Sequence, residues 1–93
     1  MTAATSEIER RREFDALTRQ LRPDLYRYAF WLARDRQLAD DVVQEALLRA
    51  WKAWGELRDA KAAKSWLISI VRREHARTFE RKRLDLVDVA DYE

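Results

Sequence analysis

Most of the side chains in this sequence that could do chemistry are arginines and lysines, and they are unevenly distributed. Residues 1–57 carry ten basic and ten acidic residues, whereas segment 58–83 is strongly basic. Its basic residues are Arg58, Lys61, Lys64, Arg72, Arg73, Arg77, Arg81, Lys82 and Arg83, against the acidic Asp59, Glu74 and Glu80. Guanidinium and ammonium groups at this density favour phosphate binding, and arginine also contacts base edges. Charge alone leaves open a solvated helix end that binds no ligand.

Side chains suited to catalysis or metal binding are scarce. The chain has no cysteine and a single histidine, His75, which lies among arginines and suits a surface or DNA-facing position better than a catalytic one. Asp40 and Asp41 are adjacent, so on a helix they point about 100° apart and cannot share a proton. No Gly-rich phosphate loop or nucleophile motif is present. We therefore expect a binding protein, not an enzyme, that uses no metal, cofactor or small-molecule substrate.

Helices are the elements that must position these groups. Gly55 and Pro23 are the single glycine and the single proline of the chain, too few for the tight turns of an all-β protein. The apolar spacing predicts an all-α fold, a compact bundle of about four helices. We expect these helices at about 7–20, from Pro23 onward, at 38–54 and at about 60–82.

The charge pattern divides the chain into a helical domain, 1–83, and an acidic tail or linker, 84–93, which has four acidic residues and no basic one. No run approaches the roughly 20 apolar residues of a membrane span, and residues 1–13 are charged where a secretory signal would be apolar. Together with the lack of cysteine, these features predict a cytoplasmic protein with no membrane partner.

The predicted helix at 38–54 has two different sides. Its inner stripe is Ala39, Val42, Val43, Ala46, Leu47, Ala50, Trp51 and Trp54. The opposite side presents Asp41, Glu45, Leu48 and Lys52 together, with Gln44 and Arg49 at its flanks. One interpretation is a solvated face with a single exposed leucine. The other is a docking surface that Leu48 anchors, while the surrounding charges select the partner.

The predicted last helix combines an inner stripe with a basic outer face. The inner stripe is Ala63, Trp66, Leu67, Ile70 and Val71. The outer face is Ser65, Ser69, Arg72, Ala76 and Arg83, with Arg73, Arg77 and Glu80 at its edge. Small side chains between the arginines would let a nucleic acid approach closely. The spacing predicts that the other tryptophans, Trp31, Trp51 and Trp54, are mostly core, whereas Trp66 is left open between core and base stacking.

The string ADDVVQEALLRAW at 39–51, followed by SWL at 65–67 and a basic continuation, resembles region 2 of the sigma-70 family in its extracytoplasmic-function (ECF) branch. The resemblance covers about 14–83. It implies a compact helical bundle in which region 2.2 docks on the coiled coil of the RNA polymerase β′ subunit. By position, the docking residues would be Asp41, Gln44, Glu45, Leu48 and Arg49.

The same resemblance implies recognition and melting of the minus-ten promoter element, mainly through its non-template single strand. By position, the pocket for an extruded base would be formed by Arg58, Asp59, Lys61, Lys64 and Ser65. Ser69, Arg73 and Arg77 would face bases or the upstream duplex edge. The second DNA-binding domain of the family, region 4, has no counterpart here, so we expect a fragment or an unusually short factor.

Three hypotheses remain open at this point. The leading one is a promoter-recognition domain that docks on the polymerase core. The second is a sigma-like interaction domain that binds an anti-sigma factor, and an anti-sigma factor is an expected partner in either case. The third is a generic DNA-binding bundle, which would not need the docking face around Leu48. The basic face favours the first hypothesis over the second.

Overall fold

The computed structural model describes the backbone of residues 3–92 and the side chains of residues 6–81, 83 and 84. It contains three α-helices, α1 (Ala3–Ala33), α2 (Arg36–Lys52) and α3 (Ala63–Tyr92). Two short 3-10 helices, Trp54–Glu56 and Ala60–Ala62, connect α2 to α3. The predicted all-α class is confirmed, since no strand occurs between residues 3 and 92. The expected number of about four helices is wrong, because there are three.

The correction to the helix count concerns Pro23, which lies inside α1 instead of starting a new helix. Proline in a helix interior removes one hydrogen bond to the preceding turn and costs about 3 kcal/mol. Two features offset that cost. Pro23 is exposed, so its ring lies on the solvent side, and the helix on either side of it is held by buried Phe14, Leu25 and Ala29. Tertiary packing therefore keeps the two predicted helices continuous.

The core is made by one side of each helix. It consists of Phe14, Leu25 and Ala29 from α1, Ala39, Val42, Val43, Ala46, Leu47 and Ala50 from α2, and Leu67, Ile70 and Val71 from α3. Trp51, Trp54 and Trp66 are partly buried against it. The inner stripes predicted for α2 and α3 are thus confirmed.

Trp31 is the exception among the tryptophans, because 61% of its surface is exposed. It lies two positions beyond the fully buried Ala29, about 200° around the helix, and so on the opposite side of α1. Its ring stacks on Tyr28 with a centroid distance of 6.3 Å. The prediction that Trp31 is core is wrong, because its position on α1 faces away from the side that buries Ala29.

The connections fix the orientation of α1 and α2. Arg34 has φ 56° in the left-handed region, and its N–H donates to the carbonyl of Phe30, 2.7 Å away, where α1 ends. Asp35 then caps α2 by accepting a hydrogen bond from the N–H of Leu38 at 3.0 Å. Phe14 meets the rings of Trp51 and Trp54 at 5.3 and 5.1 Å, so the early part of α1 lies beside the end of α2. The two helices are antiparallel.

The backbone of α3 continues through most of the predicted acidic tail, as far as Tyr92. The side chains of 85–93 lie outside the described residues, so the division into a 1–83 domain and an 84–93 tail stays a prediction. Within the part of the chain that the structure describes, no helix combines the length and apolar character required to cross a membrane.

Candidate functional site

The outward side of α2 forms an exposed surface around Leu48. Leu48 has 49% of its surface exposed, and the residues around it are also exposed: Asp41, Gln44, Glu45 and Lys52. We call these five residues the α2 outer face. The amide of Gln37 donates to Asp41 at 3.1 Å and the amide of Gln44 donates to Asp40 at 3.1 Å, one helical turn apart in each case. Leu48 is thus an exposed leucine among polar and charged side chains, two of which are held by hydrogen bonds within α2.

Arg49 lies apart from the α2 outer face. Its Nε forms an ion pair with Oε1 of Glu74 on α3, so the guanidinium group turns toward α3 and away from Leu48. Of the six residues predicted to dock, five are therefore exposed on the outer side of α2, and Lys52 among them also lines the α2–α3 cleft, whereas Arg49 turns into that cleft. This cleft, of about 320 Å³, is lined by Arg49, Lys52, Ala53, Glu56, Trp66, Ile70, Arg73, Glu74 and Arg77.

A second depression lies along the start of α3, and we call it the basic hollow. Its volume is about 480 Å³, and it is lined by Lys61, Lys64, Ser65, Ile68, Ser69 and Arg72. Five of the predicted DNA-binding residues are therefore neighbours here. Ser65 and Ser69 donate their hydroxyl hydrogens to the carbonyls of Ala62 and Trp66, at 3.1 and 2.7 Å. Their oxygens keep lone pairs with which they can accept hydrogen bonds.

The predicted DNA-binding residues thus divide between two sides of α3. Arg73 and Arg77 line the α2–α3 cleft, not the basic hollow. Trp66 lies beside the cleft with its ring 6.2 Å from that of Trp54, and it is partly buried against the core. The basic face of α3 therefore contains two depressions, with the arginines predicted at its edge in the α2–α3 cleft.

The link before α3 holds the other two predicted DNA-binding residues, Arg58 and Asp59, both exposed. Asp59 caps the 3-10 helix Ala60–Ala62, since its side chain accepts a hydrogen bond from the N–H of Lys61 at 3.0 Å. This hydrogen bond sets the backbone path of the link, so Asp59 has a local structural role that spacing did not reveal.

Asp24 follows Pro23, where the sequence predicts the start of a helix. In the structure it lies inside α1, and its carboxylate bonds to Lys64 Nζ at 3.0 Å and to Arg27. The hydrogen bond from Lys64, and then that from Arg27, lowers the pKa of Asp24 from its usual 3.8. Asp24 therefore connects α1 to the basic hollow through its ion pair with Lys64.

Glu74 is the functional candidate that the sequence interpretation missed. Only 1% of its surface is exposed, and it continues the buried stripe of Ile70 and Val71 on α3. Besides the pair with Arg49, Nη1 of Arg77 lies 3.7 Å from the same oxygen, Oε1. A glutamate at helical spacing from buried Leu67, Ile70 and Val71 was the available signal, because charged residues are rarely buried without partners.

Comparison with known proteins places this sequence in a family. The family model described as Sigma-70 region 2 matches residues 17–84. The ECF RNA polymerase sigma factor SigL of Mycobacterium tuberculosis is 47% identical over 49 residues, which are 52% of this chain and 28% of SigL. SigG of the same species is 37% identical over 59 residues, 63% of this chain and 16% of SigG.

SigX, an ECF RNA polymerase sigma factor of Bacillus subtilis, is 31% identical over 49 residues, 53% of this chain and 25% of SigX. The chain thus matches less than a third of the length of each of these relatives. No solved structure matches it. Since the family match extends over most of the helical bundle, including α2 and the basic part of α3, the chain belongs to the sigma-70 family as a region 2 domain of the ECF type.

Proposed function

We propose that this chain acts in transcription initiation by docking on the RNA polymerase core while it recognises and melts the minus-ten promoter element. The observation that carries the proposal is the two-sided form of α2. Its inner side is buried in the core, while Leu48 and its polar neighbours remain exposed on the outer side. This arrangement leaves a complete surface free for a partner without disturbing the bundle.

The chemistry of the α2 outer face suits the coiled coil of the β′ subunit. A coiled coil offers exposed charged side chains beside its apolar seam. Asp41 and Glu45 would meet basic groups, and Leu48 would contact apolar surface near the centre of the contact. Because these residues lie on one helix, their mutual positions do not depend on the partner.

The basic hollow suits single-stranded DNA. Lys61, Lys64 and Arg72 supply positive charge, and the hydroxyl oxygens of Ser65 and Ser69 can accept hydrogen bonds from base edges. A base extruded from the duplex costs a few kcal/mol of stacking and pairing, which a basic depression offsets through phosphate and base contacts. In this proposal recognition and melting of the promoter are one step.

The docking part is tested by replacing Leu48→Ala together with Glu45→Arg. Both side chains are exposed, so helicity measured by circular dichroism should stay unchanged. Capture of the isolated β′ coiled coil should be lost, because the apolar anchor is removed and an attractive charge is reversed. The matched control is Leu84→Ala with Glu80→Arg on α3, an equally exposed pair. Undiminished capture by the Leu48 and Glu45 variant would refute the docking surface.

A sigma-like domain that only binds an anti-sigma factor is the second candidate. One observation favours it, a groove of about 370 Å³ between α1 and α2 that includes Tyr26, Val43 and Leu47 and could receive a partner's apolar side chain. Such a domain would not need the basic hollow. A chain that binds neither the β′ coiled coil nor single-stranded DNA would support this second function.

A further inference from the structure

Glu74 is the one charged side chain that is buried within the described part of the chain. Its Oε1 receives Arg49 from α2 and lies near Arg77 from the next turn of α3, whereas its buried Oε2 has no hydrogen-bond partner among the described residues. Burial of a carboxylate is unfavourable unless it is paired, and an apolar side chain of similar size is often equally stable in such a place. Stability alone therefore gives no reason for a glutamate at this position.

Unlike the buried Glu74, the two arginines that contact it reach the surface. Arg49 has 45% and Arg77 has 51% of its side chain exposed. A guanidinium group has five N–H donors, and Arg49 directs its Nε toward Glu74. Because 45% of its side chain is exposed and it lines the α2–α3 cleft, Arg49 can offer its terminal nitrogens to a ligand there. Glu74 thus contacts two partly exposed cations from the buried side of the cleft.

The remaining lining of the cleft indicates what these donors bind. Lys52 and Arg73 add two further cations, and Glu56 adds the second carboxylate, so four cations face two acidic groups. Arginine pairs with fixed orientation are suited to the oxygens of a phosphate. The proposed function brings DNA to this chain, so the phosphate expected in the cleft is one of the DNA backbone.

We infer that Glu74 is a positioning residue that holds Arg49 of α2 and Arg77 of α3 as one phosphate-binding pair in the α2–α3 cleft. The inference rests on the proposed function and gives Arg49, which the family resemblance places among the docking residues, a role in DNA binding. It also joins α2, which carries the docking surface, to the helix that carries the basic residues. DNA binding and the relative placement of the two helices then depend on the same carboxylate.

Removal of the charge of Glu74 distinguishes positioning from simple electrostatics. Glu74→Gln makes the cleft more positive, so electrostatics alone predicts tighter DNA binding and a steeper salt dependence. Positioning predicts the opposite sign. Binding should weaken about threefold to tenfold, because two released arginines must be immobilised again when DNA binds. Glu56→Gln is the matched control, since it removes the same charge from an exposed position of the same cleft.

The experiment uses the full chain and a fluorescent oligothymidylate of about a dozen nucleotides, a length that one small domain can cover. Affinity is measured by fluorescence anisotropy at several salt concentrations, after circular dichroism has verified the fold of each variant. We expect weaker binding for Glu74→Gln and equal or tighter binding for Glu56→Gln. If Glu74→Gln does not fold, Arg49→Lys serves instead, because lysine keeps the charge but cannot hold the planar guanidinium geometry, and it should also bind more weakly.

The outcomes separate this inference from the proposed function. If wild-type chain binds the oligonucleotide and Glu74→Gln tightens binding as Glu56→Gln does, the positioning role is overturned and the proposed function stands. Unchanged affinity of a folded Glu74→Gln, or of Arg49→Lys when that variant is used, overturns the role equally. If wild-type chain does not bind, the DNA part of the proposed function fails, and the assignment of Glu74 fails with it.

Discussion

The α2 outer face and the basic region of α3 carry the two halves of the proposed function, and they are built differently. The α2 outer face belongs to one helix, and its members come together through helical spacing alone. The basic residues of α3 are divided between a hollow near Lys64 and a cleft against α2. Each depression also involves a second helix. Asp24 of α1 pairs with Lys64 of the hollow, and Arg49 of α2 lines the cleft. A surface on one helix can therefore be read from periodicity, whereas a site between helices depends on packing.

Because of this difference, α2 has some residues that are only exposed to solvent and others that contact α3. Substitutions in the two groups should change the stability by different amounts. Arg49→Ala leaves the buried carboxylate of Glu74 without its closest partner, and we expect the free energy of unfolding to fall by about 3 kcal/mol. Glu45→Ala, one turn away on the same helix, should cost less than about 0.5 kcal/mol because Glu45 is exposed and does not line the cleft. Urea denaturation measures both. Equal effects of the two substitutions would remove the distinction between the outer face and the cleft.

The two basic depressions can be compared by their salt dependence. Lys61→Ala with Arg72→Ala alters the hollow, and Arg73→Ala with Arg77→Ala alters the cleft. If both depressions contact phosphates, each pair should reduce the slope of log affinity against log salt for single-stranded DNA by about 1.4, or about 0.7 per lost contact. A slope that changes for one pair only would assign the DNA strand to that depression.

The control for this comparison removes the same charge at a distance from both depressions. Arg12→Ala with Arg36→Ala replaces two exposed arginines that line neither of them. The control pair should leave the slope nearly unchanged. A reduction of the same size would mean that DNA responds to the total charge of the chain and not to either depression.

The smallest expected effect concerns the ion pair between Asp24 of α1 and Lys64 of the basic hollow. Because Lys64 and Arg27 lower the pKa of Asp24, the ionised carboxylate is favoured in the folded state. The resulting stabilisation is complete above the usual pKa of 3.8 and is lost as the pH falls through the lowered value. The difference in melting temperature between wild-type chain and Asp24→Asn should therefore be constant near neutral pH and shrink below about pH 4. A difference that does not vary with pH would contradict the role of this ion pair.

The sequence predicts more of α2 than of any other element. Its start near Leu38, its inner stripe and the exposure of Leu48 and Glu45 all agree with the structure. Periodicity is sufficient here because α2 has one clearly apolar side. For α1 it is not sufficient, because the large apolar Trp31 is exposed and Pro23 is a misleading local signal. Local preferences of a few kcal/mol are overruled where burial of Leu25 and Ala29 holds the helix together.

Length, composition and spacing by themselves determined the all-α class, the two-sided α2 and the concentration of positive charge on the last helix. The continuity of α1 through Pro23, the separation of the basic residues into two depressions and the pairing of Glu74 with Arg49 were decided only by the tertiary structure. The physical reason is the range of the interactions. Helical periodicity acts over a few neighbouring residues, whereas the environment of Glu74 is set by a residue 25 positions away that only packing brings into contact.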